Sequence, residues 1–462
     1  MHTALAMRSD LHVPPGRTAQ PKQHAPRILL LTASLGAGHA RAALAVAAAL
    51  RSAIPDCAIR TQDFWSLMDE AVAASLQRAY LNLVRDRTSL YDRIYRLDQR
   101  TWRAILAGAP LPEPLLQGLD ELAGTARSTL DAFSPRARHP FDRLMLRSFC
   151  GAWDGATRLL PGAGSLLRVA IIRSGWTILA RRLDAVLRAF APNAIVSTQM
   201  NPAALLALCA RRKRGAIPSI GVITDFGVHD FWLQPGVDRY CLPHHDVPVR
   251  LHRARSEATV TGMPLMPQFA APPDPVQARA RLGLDPEAPV VLVAGGGLGI
   301  GVEPVARALL ASNPRLHVLT VTGRDVEAAS RLGGRPHERL RVWAWTEDIA
   351  LLMRAADIVI GKPGGLTVAE SLACGRPLLA TGTLHAQEDF NLRFLRRHQI
   401  GDLVRNDDLV QRVESMVQAP EMLRRTQARA WELGRRDGAA RVASLALNLA
   451  ATHRQESRTV ES

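Results

Sequence analysis

The feature that most constrains this chain is a repeated local pattern: a short unbroken apolar run, then glycines, then a segment long enough for a helix. It occurs first at Ile28–Ala33 (ILLLTA), followed by Ser34-Leu35-Gly36-Ala37-Gly38 and an alanine-rich stretch to Arg51. It returns at Val290 in the sequence VVLVAGGGLGIG, with a helix expected from near Glu303. Unbroken runs of this length suit strands buried on both faces, and strand, glycine turn, helix is the opening unit of a doubly wound sheet. Further runs at Ala194–Thr198, Ile217–Thr224, His317–Val321, Asp357–Ile360 and Pro377–Ala380 are mostly separated by helix-length segments. That alternation argues for parallel sheets covered by helices. The expected fold class is α/β, with two Rossmann-like doubly wound domains facing a cleft.

Five prolines fall between Gly262 and Val276, a stretch without helical or strand periodicity, and this places the domain boundary. The expected division is a flexible tail over 1–26, a first domain over 27–268, a second over 269–440, and a C-terminal helix and tail over 441–462. Charge is divided unevenly between them. Residues 1–270 carry 33 Lys and Arg against 20 Asp and Glu, and the remainder 25 against 22, within a net +16. A basic first half implies an anionic partner, nucleic acid or an acidic membrane surface, although arginine codon bias accounts for part of it, since 55 of the 58 basic residues are Arg. No helix-turn-helix or RNA-binding signature accompanies the charge, so nucleic acid is not expected. No apolar stretch reaches the 18 residues a spanning helix needs, and the N-terminus lacks a secretory pattern, which points to a cytoplasmic, peripheral protein. The cysteines, Cys57, Cys150, Cys209, Cys241 and Cys374, are odd in number and unclustered, reading as buried reduced thiols.

Four segments carry candidate chemistry. In Gly361-Lys362-Pro363-Gly364-Gly365-Leu366-Thr367-Val368-Ala369-Glu370 a strand ends in a tight turn and a helix begins. Amides at such a helix start can hold a diphosphate, and Glu370, one turn further, can accept two ribose hydroxyls. Lys362 is one of three lysines in the chain, which favours a placed charge. The turn at Gly295, Gly296 and Gly297 offers the same close approach to phosphate, with a ligand-free turn as the competing reading. Neither this turn nor that of Gly36 to Gly38 offers a clear Gly-x-Gly-x-x-Gly followed about 20 residues on by a strand-terminal acid, which weakens a dinucleotide fingerprint. Gln387, Glu388 and Asn391 supply amide and carboxylate groups suited to sugar hydroxyls. In the first half, His39 follows Gly36 and Gly38 at the expected mouth of a sheet, where an imidazole can take a proton from a hydroxyl. Asp225 ends another strand and could orient a base or act as one, and His229 could touch phosphate or acceptor, although capping roles compete for both.

In this order the motifs resemble the glycosyltransferases that include monogalactosyldiacylglycerol synthases and processive diacylglycerol glucosyltransferases, with the peptidoglycan N-acetylglucosaminyltransferase more distant. The resemblance covers residues 27–420 and rests on Ser34 to His39 with Ala42, Ala43 and Leu50, on Tyr80 to Tyr95, on Val222 to Asp225 with His229 and Trp232, and on Thr261 to Pro264. In the second half it rests on Gly295 to Gly297, Met353 to Asp357, Lys362 to Glu370, and Gln387, Glu388 and Asn391. It implies the GT-B fold and inverting transfer of a hexose from a UDP-sugar to a membrane lipid hydroxyl, diacylglycerol above all. It further implies donor binding by the second domain, without a tightly bound metal or cofactor and without an obligate protein partner. By position, Glu370 would bind ribose, Gly364, Gly365 and Thr367 would lie at the diphosphate, backbone near Trp345 and Thr346 would face the uracil, and Gln387, Glu388 and Asn391 the sugar, with Lys362 and Leu366 also on the donor side. His39 and Asp225 fall where the family activates its acceptor. Leu122–Leu183 stands apart as an expected insertion, with ten Arg, three Asp and the aromatics Phe141, Phe149, Trp153 and Trp176, a composition suited to a bilayer interface or to a helical insertion packing on its own domain with solvated arginines. The rival readings are transfer to a non-lipid acceptor and a catalytically silent binder on the same fold.

Overall fold

The computed structural model describes residues 25–34, 37–95, 97, 112–131, 147–148, 151–152, 161–210, 217–234, 237–249, 257–296, 301–323, 325–334, 337–382 and 386–461. Residues 1–24 of the expected tail, and Leu35, Gly36, Gly297, Phe141, Phe149, Cys150 and Trp153 among the residues singled out above, lie outside them.

Two six-stranded sheets organise the chain. The first contains β1 (Arg27–Thr32), β2 (Ala58–Asp63), β3 (Ala194–Ser197), β4 (Ser219–Val222), β5 (Arg239–Leu242) and β6 (Glu257–Val260), in the order β2-β1-β3-β4-β5-β6 with every pair parallel. The second contains β7 (Val290–Ala294), β8 (His317–Val321), β9 (Leu340–Trp343), β10 (Ile358–Gly361), β11 (Leu378–Ala380) and β12 (Gly401–Leu403), in the order β12-β11-β10-β7-β8-β9, again all parallel. Both sheets are doubly wound, so the strand order reverses between β1 and β3 and between β7 and β10. The crevice at such a reversal is where open α/β sheets take ligands.

The core follows the strand period of two. In β1, Ile28 and Leu30 point to one face and Leu29 and Leu31 to the other. Leu29 and Leu31 meet Ala180, Leu183 and Leu187 from the end of the long helix Pro161–Phe190. Ile28 and Leu30 meet Val442, Ala443, Ala446 and Ala450 from the last helix, Gly438–Glu461. The chain therefore returns to cover the sheet it began with. Its two crossings between the sheets lie against each other: a Cβ built on Gly438 would stand 2.2 Å from the Met263 carbonyl oxygen, and one on Gly262, itself left-handed at φ 87°, would stand 2.6 Å from Arg435 Cβ.

At the end of Leu122–Leu183, Trp176 follows the reading of a helix packed on its own domain and departs from the bilayer-interface one. It packs beside Phe64, with ring centroids 6.4 Å apart, against the core next to β1 and β3. The end of the supposed interfacial segment is thus a core helix. Cys57, Cys209, Cys241 and Cys374 are buried free thiols. Among the described residues no helix is long and apolar enough to cross a membrane.

Val442 has no exposed surface in this packing. Val442→Asp would bury an unpaired carboxylate, so we expect a loss of about 3 kcal/mol or more in urea unfolding; an unchanged midpoint would mean the last helix does not cover the first sheet in solution.

Candidate active site

At the reversal point of the first sheet three threonines and a histidine lock together. His39 lies on the helix Ala37–Ala53, which starts directly after β1. Its Nδ1 stands 2.9 Å from the Thr198 carbonyl oxygen and 3.1 Å from Thr224 Oγ1. A carbonyl only accepts, so Nδ1 carries the proton and Nε2 keeps its lone pair. Thr198 Oγ1 in turn donates towards the His39 carbonyl at 3.0 Å and lies 3.1 Å from Thr32 Oγ1. Thr32 closes β1, Thr198 follows β3 and Thr224 follows β4, so three neighbouring strand ends fix one imidazole. Burial pushes His39 down to about 4, against a smaller upward pull from the Thr198 carbonyl, so the ring is neutral at neutral pH.

Asp225 comes next in the chain and faces the second domain. Asn391, fully buried on the helix Ala386–Arg397, donates from Nδ2 to Asp225 Oδ1 at 3.0 Å and to the Pro363 carbonyl at 2.9 Å, while its Oδ1 accepts from the Phe226 amide at 2.7 Å. Both amide hydrogens are spent on the protein, so Asn391 ties the two domains instead of offering a donor to a sugar. Burial pushes Asp225 up to about 7; the Asn391 hydrogen bond and the Gly365 backbone pull it down, and Glu388 adds to the rise.

The turn at the second reversal point presses against the same loop. A Cβ on Gly365 would fall 1.9 Å from the Thr224 carbonyl oxygen, which leaves room for glycine alone. Gly364 is the N-cap of the helix Gly365–Ala373 and has no side chain to cap it; the Gly365 amide serves Asp225, and the amides of Leu366 and Thr367 that follow are left for an anion. Leu366 is buried in the core, which leaves only its backbone for a ligand, while Thr367 lies half-buried beside the turn. Lys362 Nζ is 3.9 Å from Glu388 Oε1, placing its charge at the mouth of this turn. Glu370 is buried and pairs across the cleft with Arg41, Nη2 to Oε1 at 3.2 Å, two positions beyond His39. Burial raises its pKa and Arg41 opposes the rise.

The remaining expected residues are more dispersed. Gly295 donates to the Val321 carbonyl at 3.1 Å, and Gly296 follows it at φ 61° with open space around it. Trp345 is 49 % exposed, and Thr346 Oγ1 accepts from the Asp348 amide at 3.0 Å. Gly38 has open space on its Cα. Gln387 lies on the helix Ala386–Arg397, and its side chain is outside the description. His229 is turned to structure: Nε2 donates to the Tyr95 carbonyl, Nδ1 accepts from the Phe231 amide, and the ring stacks 4.1 Å from that of Tyr95. With both nitrogens engaged by backbone, it does not serve a phosphate as expected.

Sequence reasoning missed Arg41, which is one arginine among many until the fold sets it opposite Glu370. It also passed over Thr198, whose role depends on a carbonyl. Tyr80 and Tyr91 were part of a motif without a task; their hydroxyls are 3.0 Å apart in a buried helical layer beside Asp225, whose charge also raises Tyr91 and Tyr95.

Comparison with known proteins finds likenesses in both halves of the chain. The profile of the monogalactosyldiacylglycerol (MGDG) synthase family matches residues 166–265, and that of the glycosyltransferase family 28 C-terminal domain matches 290–439. The first match begins inside Leu122–Leu183, so residues 166–183 of that segment lie within it. A processive diacylglycerol beta-glucosyltransferase of Bacillus pumilus is 27 % identical over 252 residues, 53 % of this chain and 65 % of the relative. Monogalactosyldiacylglycerol synthase 1 of Arabidopsis thaliana is 30 % identical over 241 residues, 49 % of this chain and 45 % of the relative. The matched region thus spans less than two thirds of the length of either. Among solved structures, MurG of Acinetobacter baumannii aligns over 92 % of this chain and 99 % of its own, with a TM-score of 0.53 and 14 % identity, a likeness of fold. With a match to the synthase family model in the first sheet and to the family 28 C-terminal model in the second, this chain is similar in sequence to monogalactosyldiacylglycerol synthases and processive diacylglycerol glucosyltransferases, and its two-domain GT-B fold is like that of MurG.

Proposed function

We propose that this protein is an inverting glycosyltransferase that moves a hexose from a UDP-sugar to the hydroxyl of a membrane lipid, diacylglycerol being the acceptor its relatives' names point to. The observation that carries the reading is the meeting of the two reversal points: a tautomer-fixed imidazole from one sheet and an uncapped helix start from the other, joined through Thr224, Asp225 and Gly365. In this mechanism the acceptor O–H gives its proton to His39 Nε2 as the oxygen attacks the anomeric carbon. The bond to UDP breaks on the opposite face, and the charge left on the diphosphate is met by the amides after Gly365 and by Lys362.

An imidazole held near 4 is a weak base on its own. Negative charge brought beside it raises its affinity for a proton, and the donor diphosphate supplies that charge, so the base strengthens when the donor is in place. Asp225 supports the same transfer as a second carboxyl at the junction. Glu370 would exchange its partner, releasing Arg41 to take ribose hydroxyls. Association with an acidic membrane from the cytoplasmic side rests on the basic first half. We assign no tightly bound cofactor to the reaction.

Incubating the protein with anionic vesicles that contain diacylglycerol and a panel of labelled UDP-hexoses should carry label from one of them into the organic phase. UDP release without lipid labelling would move the acceptor to soluble hydroxyl compounds. His39→Ala should lower turnover by about 10²-fold or more while UDP affinity holds; loss of both together would contradict the division of labour. Glu370→Ala should act mainly on donor affinity, weakening UDP binding about tenfold as a charge-assisted contact is lost, and an unchanged affinity would remove the ribose role.

The two shifted groups also set opposite pH dependences of stability. Between about 4 and the usual 6.5, His39 takes up a proton only in the unfolded chain, so its contribution is intact above that window and lost as pH falls through it. Asp225, raised from 3.8 to about 7, keeps its proton in the folded chain, so its contribution is present at acid pH and lost as pH rises through the window. Urea midpoints from pH 4 to 7 should therefore rise more steeply in Asp225→Asn than in the parent, and less steeply in His39→Gln; parallel profiles would contradict both burial effects.

A further inference from the structure

One ion pair across the cleft has to part when a donor binds as proposed above. Arg41, on the helix Ala37–Ala53 two positions beyond His39, sets Nη2 3.2 Å from Glu370 Oε1 on the helix Gly365–Ala373 of the other domain. Both partners are largely enclosed, the Arg41 side chain being 22 % exposed and that of Glu370 8 %. When ribose hydroxyls take Glu370, they give its carboxylate new hydrogen-bond donors. The guanidinium is left with its charge and without that partner, and an enclosed charge so stranded is costly. A guanidinium keeps its charge, so the relief open to it is another anion.

That anion arrives on the same ligand. A nucleoside diphosphate carries its phosphates on the ribose, and the amides left for them, those of Leu366 and Thr367, stand on the same helix as Glu370. At 1.5 Å per residue they lie about 5–6 Å before it, one helical turn. The Cα–Cβ bond of a helical residue tilts towards the helix start, which brings the Glu370 carboxylate, and the guanidinium paired with it, nearer still. An arginine on its long stem covers one turn by changing rotamer, and its planar fork matches phosphate oxygens. The cation already at this turn, Lys362, is shared with Glu388 at 3.9 Å, so a diphosphate there still calls for positive charge.

We infer that Arg41 is a further catalytic residue: it holds Glu370 while the donor site is empty, and the ribose displaces it onto the diphosphate, where it meets the charge of the departing UDP. The inference rests on the donor reading given above and adds a counter-charge from the domain that carries the base. As the acceptor oxygen bonds to the anomeric carbon and its proton passes to His39 Nε2, the electron pair of the breaking C–O bond goes to the β-phosphate oxygen, and no proton leaves the guanidinium. Because the ribose is what frees Arg41, recognition of the nucleoside is coupled to stabilisation of the leaving group.

Equilibrium titrations of the full-length protein with UDP and with uridine test this without turnover. The parent should prefer UDP. Arg41→Ala should cut the preference for UDP over uridine about tenfold or more, as a charge-assisted phosphate contact is lost, while uridine binds at least as tightly because its rival for Glu370 is gone. Glu370→Gln should do the reverse, weakening both ligands alike and leaving the preference in place. Arg41→Lys, which keeps a positive charge, should recover part of the preference. A purely structural role for Arg41 would instead lower UDP and uridine together in Arg41→Ala; that result, or an unchanged preference, would overturn the proposal and leave the donor reading standing. A parent that does not prefer UDP to uridine would overturn both.

Discussion

The arrangement depends on one buried amide. Asn391 holds Asp225, the amide of Phe226 and the carbonyl of Pro363 with a single side chain, and these three groups belong to the two loops that must face each other. Two of the three hydrogen bonds are buried and the one to Asp225 partly so, and a buried partner left unmatched costs about 1–3 kcal/mol. The amide therefore specifies orientation more than it adds stability: no other placement of the two loops satisfies all three groups. Gly365 against the Thr224 carbonyl is the steric side of the same constraint, since the amide can only draw the loops together if nothing stands between them.

Around that contact the site is built by division of labour between sheets. The first fixes a proton acceptor by surrounding it with strand-end threonines; the second offers the amides of a helix start, of which that of Gly365 is taken by Asp225. Each half is chemically incomplete. Polarity and geometry come from one sheet, charge compensation from the other, and the acidic groups Asp225, Glu370 and Glu388 lie between them. Their placement explains why Asp225 is raised and why Glu370 needs Arg41, because carboxylates gathered in a buried seam must lose charge or find a cation.

Much of this was legible in the sequence where burial on both faces writes an unbroken apolar run. β1, β7, β8 and β10 are central or flanked strands and read directly. β2 (AIRTQD), β6 (EATV), β9 (LRVW) and β12 (GDL) did not, because they are sheet edges, half covered, and their composition is that of loops. Interior β5 (RYCL) was hidden by its polar start. The same distinction holds for the site. His39, Asp225, Glu370 and the Gly364-Gly365 turn stand beside glycines and strand ends, and so announce themselves. Arg41, Thr198 and the working partners of Asn391 and His229 exist only as pairings between distant segments, which spacing along one chain cannot express.

The touching crossings at Gly262 and Gly438 have a mechanical meaning. Because the last helix belongs to the first sheet, the second domain is a guest inserted into its host, and its entry and exit lie side by side. A body held at two adjacent points keeps one easy motion, rotation about the line through them, and loses free translation. Opening of the cleft would then resemble a door on a paired hinge, with its free edge at the Asn391 junction. The donor turn would return to the same place at each closure, because the frame that guides it is covalently continuous at both ends.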